Sequence, residues 1–175
     1  MGKRIIHCGP SGSGLAAKIC NNLMLGIEQI ATAEAMLLGQ RLGVQPEILA
    51  DVINSSTGAC WSCSVNNPVP SAVPDKHPPC ERDYEGGFAT ALMLKVRFAV
   101  FFAVFYFLVS YESRVVQDMG LASESASLLG SPLPLGEAAQ RIYEDVIRST
   151  PELAGKDFSS VYKHLQAMSP EKRRQ

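Results

Sequence analysis

Histidine is scarce in this chain and nowhere clustered. His7, His77 and His164 are the only three, and their scatter offers none of the close spacings that hold a metal ion. An excess of charge of either sign is also missing. Sixteen Lys and Arg face 17 Asp and Glu, for a net charge of −1. So balanced a chain sets up no field to draw in nucleic acid or an anionic membrane. The opening Met1-Gly-Lys-Arg-Ile-Ile-His-Cys8 lacks the apolar run of a secretory signal. It also lacks the Arg/Ser-rich amphipathic stretch of a transit peptide. No internal repeat is visible.

What is present is enough for one domain. The chain has 175 residues, 46% of them hydrophobic, which can enclose a real core. Five cysteines without a secretory signal point to reduced thiols in a cytosolic or matrix compartment. Ile5 to Cys8 reads as a short strand, an odd start for a helical domain. From Leu15 to about Leu42 apolar residues recur at three- and four-residue spacing (Ile19, Leu23, Ile27, Ile30, Ala31, Ala35, Leu38) with no proline. This predicts a helix of about 40 Å, although Gly26 and Gly39 weaken it slightly. Gly43 ends it. Pro46 and Glu47 then open a helix running to about Asn54. Residues 55–58 and the proline-rich stretch 68–79 read as loops. Further helices are predicted over 88–95, 122–129, 136–148 and, N-capped by Asp157, 158–168. The charged tail 169–175 reads as frayed.

Chemistry concentrates in Gly9-Pro-Ser-Gly12-Ser-Gly14-Leu-Ala-Ala-Lys18-Ile-Cys-Asn-Asn22. Gly12-Ser-Gly14-Leu-Ala-Ala17 imitates the dinucleotide fingerprint. That fingerprint requires a second strand and an acidic residue about 20 positions on. Here Glu28 and Glu34 both fall within the long helical pattern, so the fingerprint reading fails on context. A second reading places Lys18 and Asn22, four apart, on one helix face. Free N–H groups in the opening turn would then favour a carboxylate. Taken alone, such a pair is usually just solvated. Cys60-Trp-Ser-Cys63 imitates a redox motif, but no βαβ pattern surrounds it, so its cysteines read as ordinary thiols, as do Cys8, Cys20 and Cys80.

The spacing from Gly9 to Asn22 resembles the substrate motif of the β-hydroxyacid dehydrogenases, and within them the 3-hydroxyisobutyrate dehydrogenases. The likeness continues through Ala33-Glu34-Ala35, Ile53-Asn54-Ser55-Ser56, Cys60-Trp61-Ser62 and Asn67-Pro68-Val69-Pro70. It goes on through Gly86-Gly87-Phe88, Leu92-Met93, Ile142-Tyr143 and Lys156-Asp157-Phe158-Ser159-Ser160. The resemblance implies an all-α, helical C-terminal domain over 9–175, with residues 1–8 as the last strand of a missing Rossmann domain. It implies NAD as cofactor and a short 3-hydroxy acid as substrate. Lys18 would be the catalytic base, neutral when it accepts the hydroxyl proton. Asn22, Gly12, Gly14 and Phe88 would bind substrate, and Lys95 would contact the cofactor. It further implies a homodimer or higher homo-oligomer, a mitochondrial matrix location, and a role in valine breakdown for the full-length enzyme.

One segment departs from the family. There Lys-Asp-hydrophobe-Gly-Leu-Ala is unbroken, whereas here Val96–Gln117 separates Lys95 from Asp118. Codons for Val begin GT and one for Gln ends AG, as expected of a retained intron read in frame or a gene-model error. The segment carries five of the seven phenylalanines. Its uncharged run, Phe98–Tyr111, is short of the roughly 20 residues that span a bilayer, so a membrane helix is not expected. Two functions stay open: an NAD-dependent dehydrogenase represented by a piece inactive on its own, or a non-catalytic helical dimerisation module.

Overall fold

The computed structural model describes residues 5–91 and 118–168. These form a bundle built on one long helix. The α-helices are α1 (Ser13–Arg41), α2 (Pro46–Asn54), α3 (Trp61–Ser64), α4 (Asp118–Leu129), α5 (Pro134–Ser149) and α6 (Val161–Met168). Short 3-10 turns lie at Pro74–Lys76, Pro79–Arg82, Pro151–Leu153 and Phe158–Ser160. Helix α1 packs against all five others and is the spine of the bundle. Among the described helices none is long and apolar enough to cross a membrane. Lys95 and the segment 96–117 lie outside the described residues, as does the tail 169–175.

Helix ends sit where local chemistry puts them. Gly43, at φ +87°, donates its N–H to Gln40 O, and Val44 N–H reaches back to Gly39 O at 2.9 Å. This is the six-to-one, five-to-two pairing that stops a helix at a left-handed glycine. Pro46 sits in the first turn of α2 with Glu47 beside it. Asp157 accepts the Ser159 N–H at the start of the last helical stretch, as its capping role required.

Ile5–Cys8 lies outside the helices, and the described residues hold no strand for it to pair with. One expectation is corrected. Phe88 is not inside a helix. It precedes helical residues 90–91, because Ala89 pairs with Asp157 in an isolated antiparallel bridge and Phe88 O accepts the Phe158 N–H at 2.8 Å.

The buried face of α1 also differs from the apolar pattern. Ala31, Ala35 and Leu38 are exposed, while Gln29, Ile30, Thr32, Ala33, Met36 and Gly39 are buried. Small and polar side chains share the inner face with Ile30 and Met36, and at Gly39 neighbouring chain comes close. A Cβ on Gly39 would stand 2.2 Å from Leu49 Cδ2. Gly26 is buried too, and its carbonyl accepts the Tyr143 hydroxyl at 3.2 Å. The two glycines that weakened the predicted helix are therefore points of close packing. The core itself gathers Ile30, Ala33, Met36, Ala50, Cys63, Val69, Tyr143, Val146, Phe158 and Val161.

The thiols follow this packing. All five cysteines are free. Burial, then the neighbouring Cys60, pushes the Cys63 thiol up to about 11. Burial likewise pushes Cys80 up to about 12. The thiolate is the reactive form, so Cys63 is not poised as a nucleophile. We expect a thiol reagent to label Cys8 and Cys20 rapidly in the folded chain. Cys63 and Cys80 should react only as the chain unfolds. Peptide mass mapping against denaturant checks this, and prompt labelling of Cys63 under native conditions would contradict it.

Candidate functional site

Gly12 begins α1 in the left-handed region, at φ +95°, with no side chain capping the helix and no acid in the first turn. Ser13 N–H is taken by Pro10 O, and the first intrahelical bond runs from Ala16 N–H to Gly12 O. A helix terminus of this kind carries partial positive charge and donors directed outward. The two glycines differ in what they are for. Gly12 is required by its backbone angle. Gly14 has an ordinary angle, and a Cβ there would meet nothing within 4 Å among the described residues. Neither local strain nor packing among those residues calls for glycine at 14.

One turn further on, the helix presents Lys18 and Asn22. Lys18 is exposed and Asn22 half-buried. Asn22 Oδ1 accepts a hydrogen bond from Asn21 Nδ2 at 3.1 Å. Lys18 makes no hydrogen bond or ion pair among the described residues. Burial of this lysine, which its implied role calls for, is not provided by any described element. Gly12, Gly14, Leu15, Ala17, Lys18 and Asn21 form an open surface.

Phe88 is fixed by a different part of the chain. Its ring meets Phe158 edge-on, with centroids 6.0 Å apart and planes at 88°. Its N–H donates to Asp157 Oδ2 at 2.8 Å. Asp157 is 2% exposed and is the hub of a buried polar network. Its Oδ1 accepts from Asn66 Nδ2 at 3.0 Å, Ser159 N–H at 3.0 Å and Ser159 Oγ at 2.6 Å. Asn66 connects on to Gln29 of α1, whose Nε2 donates to Asn66 O at 3.3 Å. Thr90 Oγ1 closes the far side with contacts to Lys156 O, Asp157 O and Ser160 Oγ. A buried carboxylate is tolerable only when its lone pairs are met in this way. Sequence reasoning placed Asp157 as a helix cap and gave Gln29 and Asn66 no role. An amide in the middle of an apolar-periodic helix was the available signal.

Above this network lies a surface ion cluster. Lys156 Nζ donates to Asp83 Oδ2 at 2.9 Å and also contacts Glu85, and Lys163 contacts the other oxygen of Asp83. Hydrogen bonds from Lys163 and then Lys156 hold the Asp83 carboxyl at about 2, well below the usual carboxylate range. Since the folded-state value is depressed, the contribution to stability is present above an ordinary value near 3.8. It is lost as pH falls through about 2. We expect the urea midpoint of Asp83→Asn to fall less than that of the parent chain between about pH 4 and pH 2. High salt should shrink the difference. Identical pH profiles would show that the cluster does not stabilise the fold.

The family model described as "NAD-binding of NADP-dependent 3-hydroxyisobutyrate dehydrogenase" matches residues 12–99, about half of the chain. The chain belongs to the 3-hydroxyisobutyrate dehydrogenase family. It is 43% identical over 162 residues to the mitochondrial 3-hydroxyisobutyrate dehydrogenase of Drosophila melanogaster, covering 93% of this chain and 42% of that one. The Homo sapiens mitochondrial enzyme is 41% identical over 165 residues, covering 94% and 41%. Among solved structures, a Mycobacterium tuberculosis 3-hydroxyisobutyrate dehydrogenase with L-serine superposes with a TM-score of 0.74 at 38% identity. It covers 93% of this chain and 47% of that one. A 3-hydroxyisobutyrate dehydrogenase from Salmonella typhimurium gives 0.61 at 25% identity, covering 87% and 42%. The chain therefore spans less than half the length of these 3-hydroxyisobutyrate dehydrogenases. Its likeness to them extends over nearly all of its own residues.

Proposed function

We propose that these residues supply the substrate-binding and proton-accepting half of an NAD-dependent 3-hydroxyisobutyrate dehydrogenase. The full-length enzyme would oxidise 3-hydroxyisobutyrate to methylmalonate semialdehyde in valine breakdown. The observation that carries this reading is the pairing of exposed Lys18 with half-buried Asn22 on one helix face, beyond an uncapped helix start at Gly12. A short 3-hydroxy acid has a carboxylate at one end and a hydroxyl two carbons away. The N–H groups of the α1 start suit the carboxylate. Gly12 and Gly14 leave the backbone open to close approach. Lys18 Nζ takes the hydroxyl proton as the carbonyl forms, and Asn22 holds the substrate in register. Phe88 lines the pocket and Lys95 contacts the cofactor.

The open backbone at Gly14 fits a nearby dinucleotide, which when bound would supply the hydride acceptor. We assign residues 1–8 to the last strand of a preceding nucleotide-binding domain, and residues 9–175 to the helical domain. On this reading the chain alone turns over no substrate, since burial of Lys18 comes from the missing half. L-serine, named with the Mycobacterium tuberculosis relative, is itself a 3-hydroxy acid. The mitochondrial names of the relatives favour the matrix as location. A homodimer or higher homo-oligomer accords with Leu38 of α1, Leu42 just past its end, and Ile48 and Val52 of α2, each more than half exposed. The same apolar surface favours the second reading, a non-catalytic dimerisation module.

Sequencing the transcript upstream of Met1 and across the Lys95/Asp118 junction, joined to an assay of its product, separates the two. The dehydrogenase reading expects an in-frame glycine fingerprint upstream and substrate-dependent cofactor reduction. Running the assay with NAD and with NADP decides the cofactor. A product that begins at Met1, self-associates and reduces neither cofactor would leave the dimerisation module.

A further inference from the structure

We infer that Asp157 is a positioning residue of this site: through Oδ2 it sets the backbone at Gly87–Phe88 and so where Phe88 stands. The inference rests on the dehydrogenase reading for its functional consequence, but its geometry is independent of it. The two oxygens of Asp157 do different work. Oδ1 ties Asn66 and Ser159, which belong to the core network. Oδ2 takes one donor among the described residues, the N–H of Phe88. The chain that brings Phe88 there is unusual. Asp83 and Tyr84 have φ of +54° and +60°, followed by Gly86 at +71° and Gly87 at +75°. Such angles persist in non-glycine residues only where surroundings enforce them.

The surroundings are the segment 156–158. Asp157 N–H donates to Tyr84 O, and Phe158 N–H to Phe88 O, both at 2.8 Å. Gly87 passes so close that a Cβ there would lie 2.2 Å from Oδ2. Residues 83–90 thus form a strap across the C-terminal segment, and the carboxylate meets it at the Phe88 N–H, with Gly87 passing close by.

This asymmetry makes Asp157→Asn a selective probe. A carboxamide keeps three of the four hydrogen bonds if its oxygen replaces Oδ1. Its NH2 group then faces the Phe88 N–H, donor against donor. The opposite orientation sets the NH2 against Asn66 and Ser159 and is worse. Gly87→Ala loosens the same contact from the strap side while leaving the carboxylate intact.

The experiment uses the isotope-labelled full chain, with both variants, followed by amide exchange and by titration with 3-hydroxyisobutyrate. We expect the Phe88 amide to exchange at least about tenfold faster in both variants, with Tyr143 and Val146 of α5 little changed. Substrate-induced shifts at Phe88 should vanish in both, while those at Lys18 and Asn22 persist. Equal acceleration at Tyr143 and Val146 would overturn the inference, making the carboxylate a prop of the whole core. An unchanged Phe88 amide would overturn it too. If substrate shifts none of Lys18, Asn22 and Phe88 in the parent chain, the functional reading fails, and the exchange pattern still decides the clamp.

Discussion

Lys18→Ala is expected to lower turnover of the assembled dehydrogenase by about 10²- to 10⁴-fold, the usual contribution of a positioned acid or base. The loss should fall on kcat, because the proposed role has the lysine act as the proton leaves and not when the carboxylate docks. Asn22→Ala should act mainly on KM. Stability should barely move in Lys18→Ala. The side chain is exposed and makes no hydrogen bond or ion pair among the described residues, and such surface changes stay within about 0.5 kcal/mol. Steady-state kinetics beside a thermal melt therefore separates chemistry from folding. Near-normal kcat in a folded Lys18→Ala enzyme would remove Lys18 from its proposed role.

Tyr143→Ala should cost about 3–5 kcal/mol of stability, as large aromatic truncations in cores do. Tyr143 is 0% exposed and belongs to the central core. Its hydroxyl reaches Gly26 O across the α1–α5 interface at 3.2 Å, and burial drives its ionisation far above the ordinary range. Against a typical total of about 5–15 kcal/mol, this loss approaches unfolding. Tyr143→Phe should cost only about 1 kcal/mol, because the Gly26 carbonyl keeps its intrahelical partner. Urea titration of the two variants tests the ratio. Similar losses for Phe and Ala would mean that the hydroxyl, and not the ring, carries the effect.

Parts of the fold and site were legible for identifiable reasons. The α2 boundaries, Pro46 to Asn54, follow from a proline and an acid at one end. Asp157 was readable as a cap because an aspartate ahead of an apolar run has one common use. Lys18 and Asn22 were readable as a pair because four residues return to the same helix face. Phe88 was misplaced within a helix. Its backbone groups are committed to Asp157 and Phe158, some 70 residues away, and no local pattern encodes that. The 3-10 turn at Pro74–Lys76 falls within the stretch 68–79 that reads as loop, and most of the turn at Pro79–Arg82 lies just beyond it.

The distinction is one of range. Where helices begin and end depends on φ preferences, caps and missing N–H groups within a few residues, so Gly43, Pro46 and Asp157 announce themselves in the chain. Which face of α1 turns inward depends on what arrives from elsewhere. Leu49 comes against Gly39, Tyr143 against Gly26 and Asn66 against Gln29. Periodicity includes Ile30, which is buried, and Leu23 and Ile27, which pack on the core, but also the exposed Ala31, Ala35 and Leu38, because it ranks residues by hydrophobicity and cannot weigh close approach or a satisfied buried amide. The core face of α1 and the strap that carries Phe88 were therefore settled by packing and long-range hydrogen bonding, which no window of neighbouring residues contains.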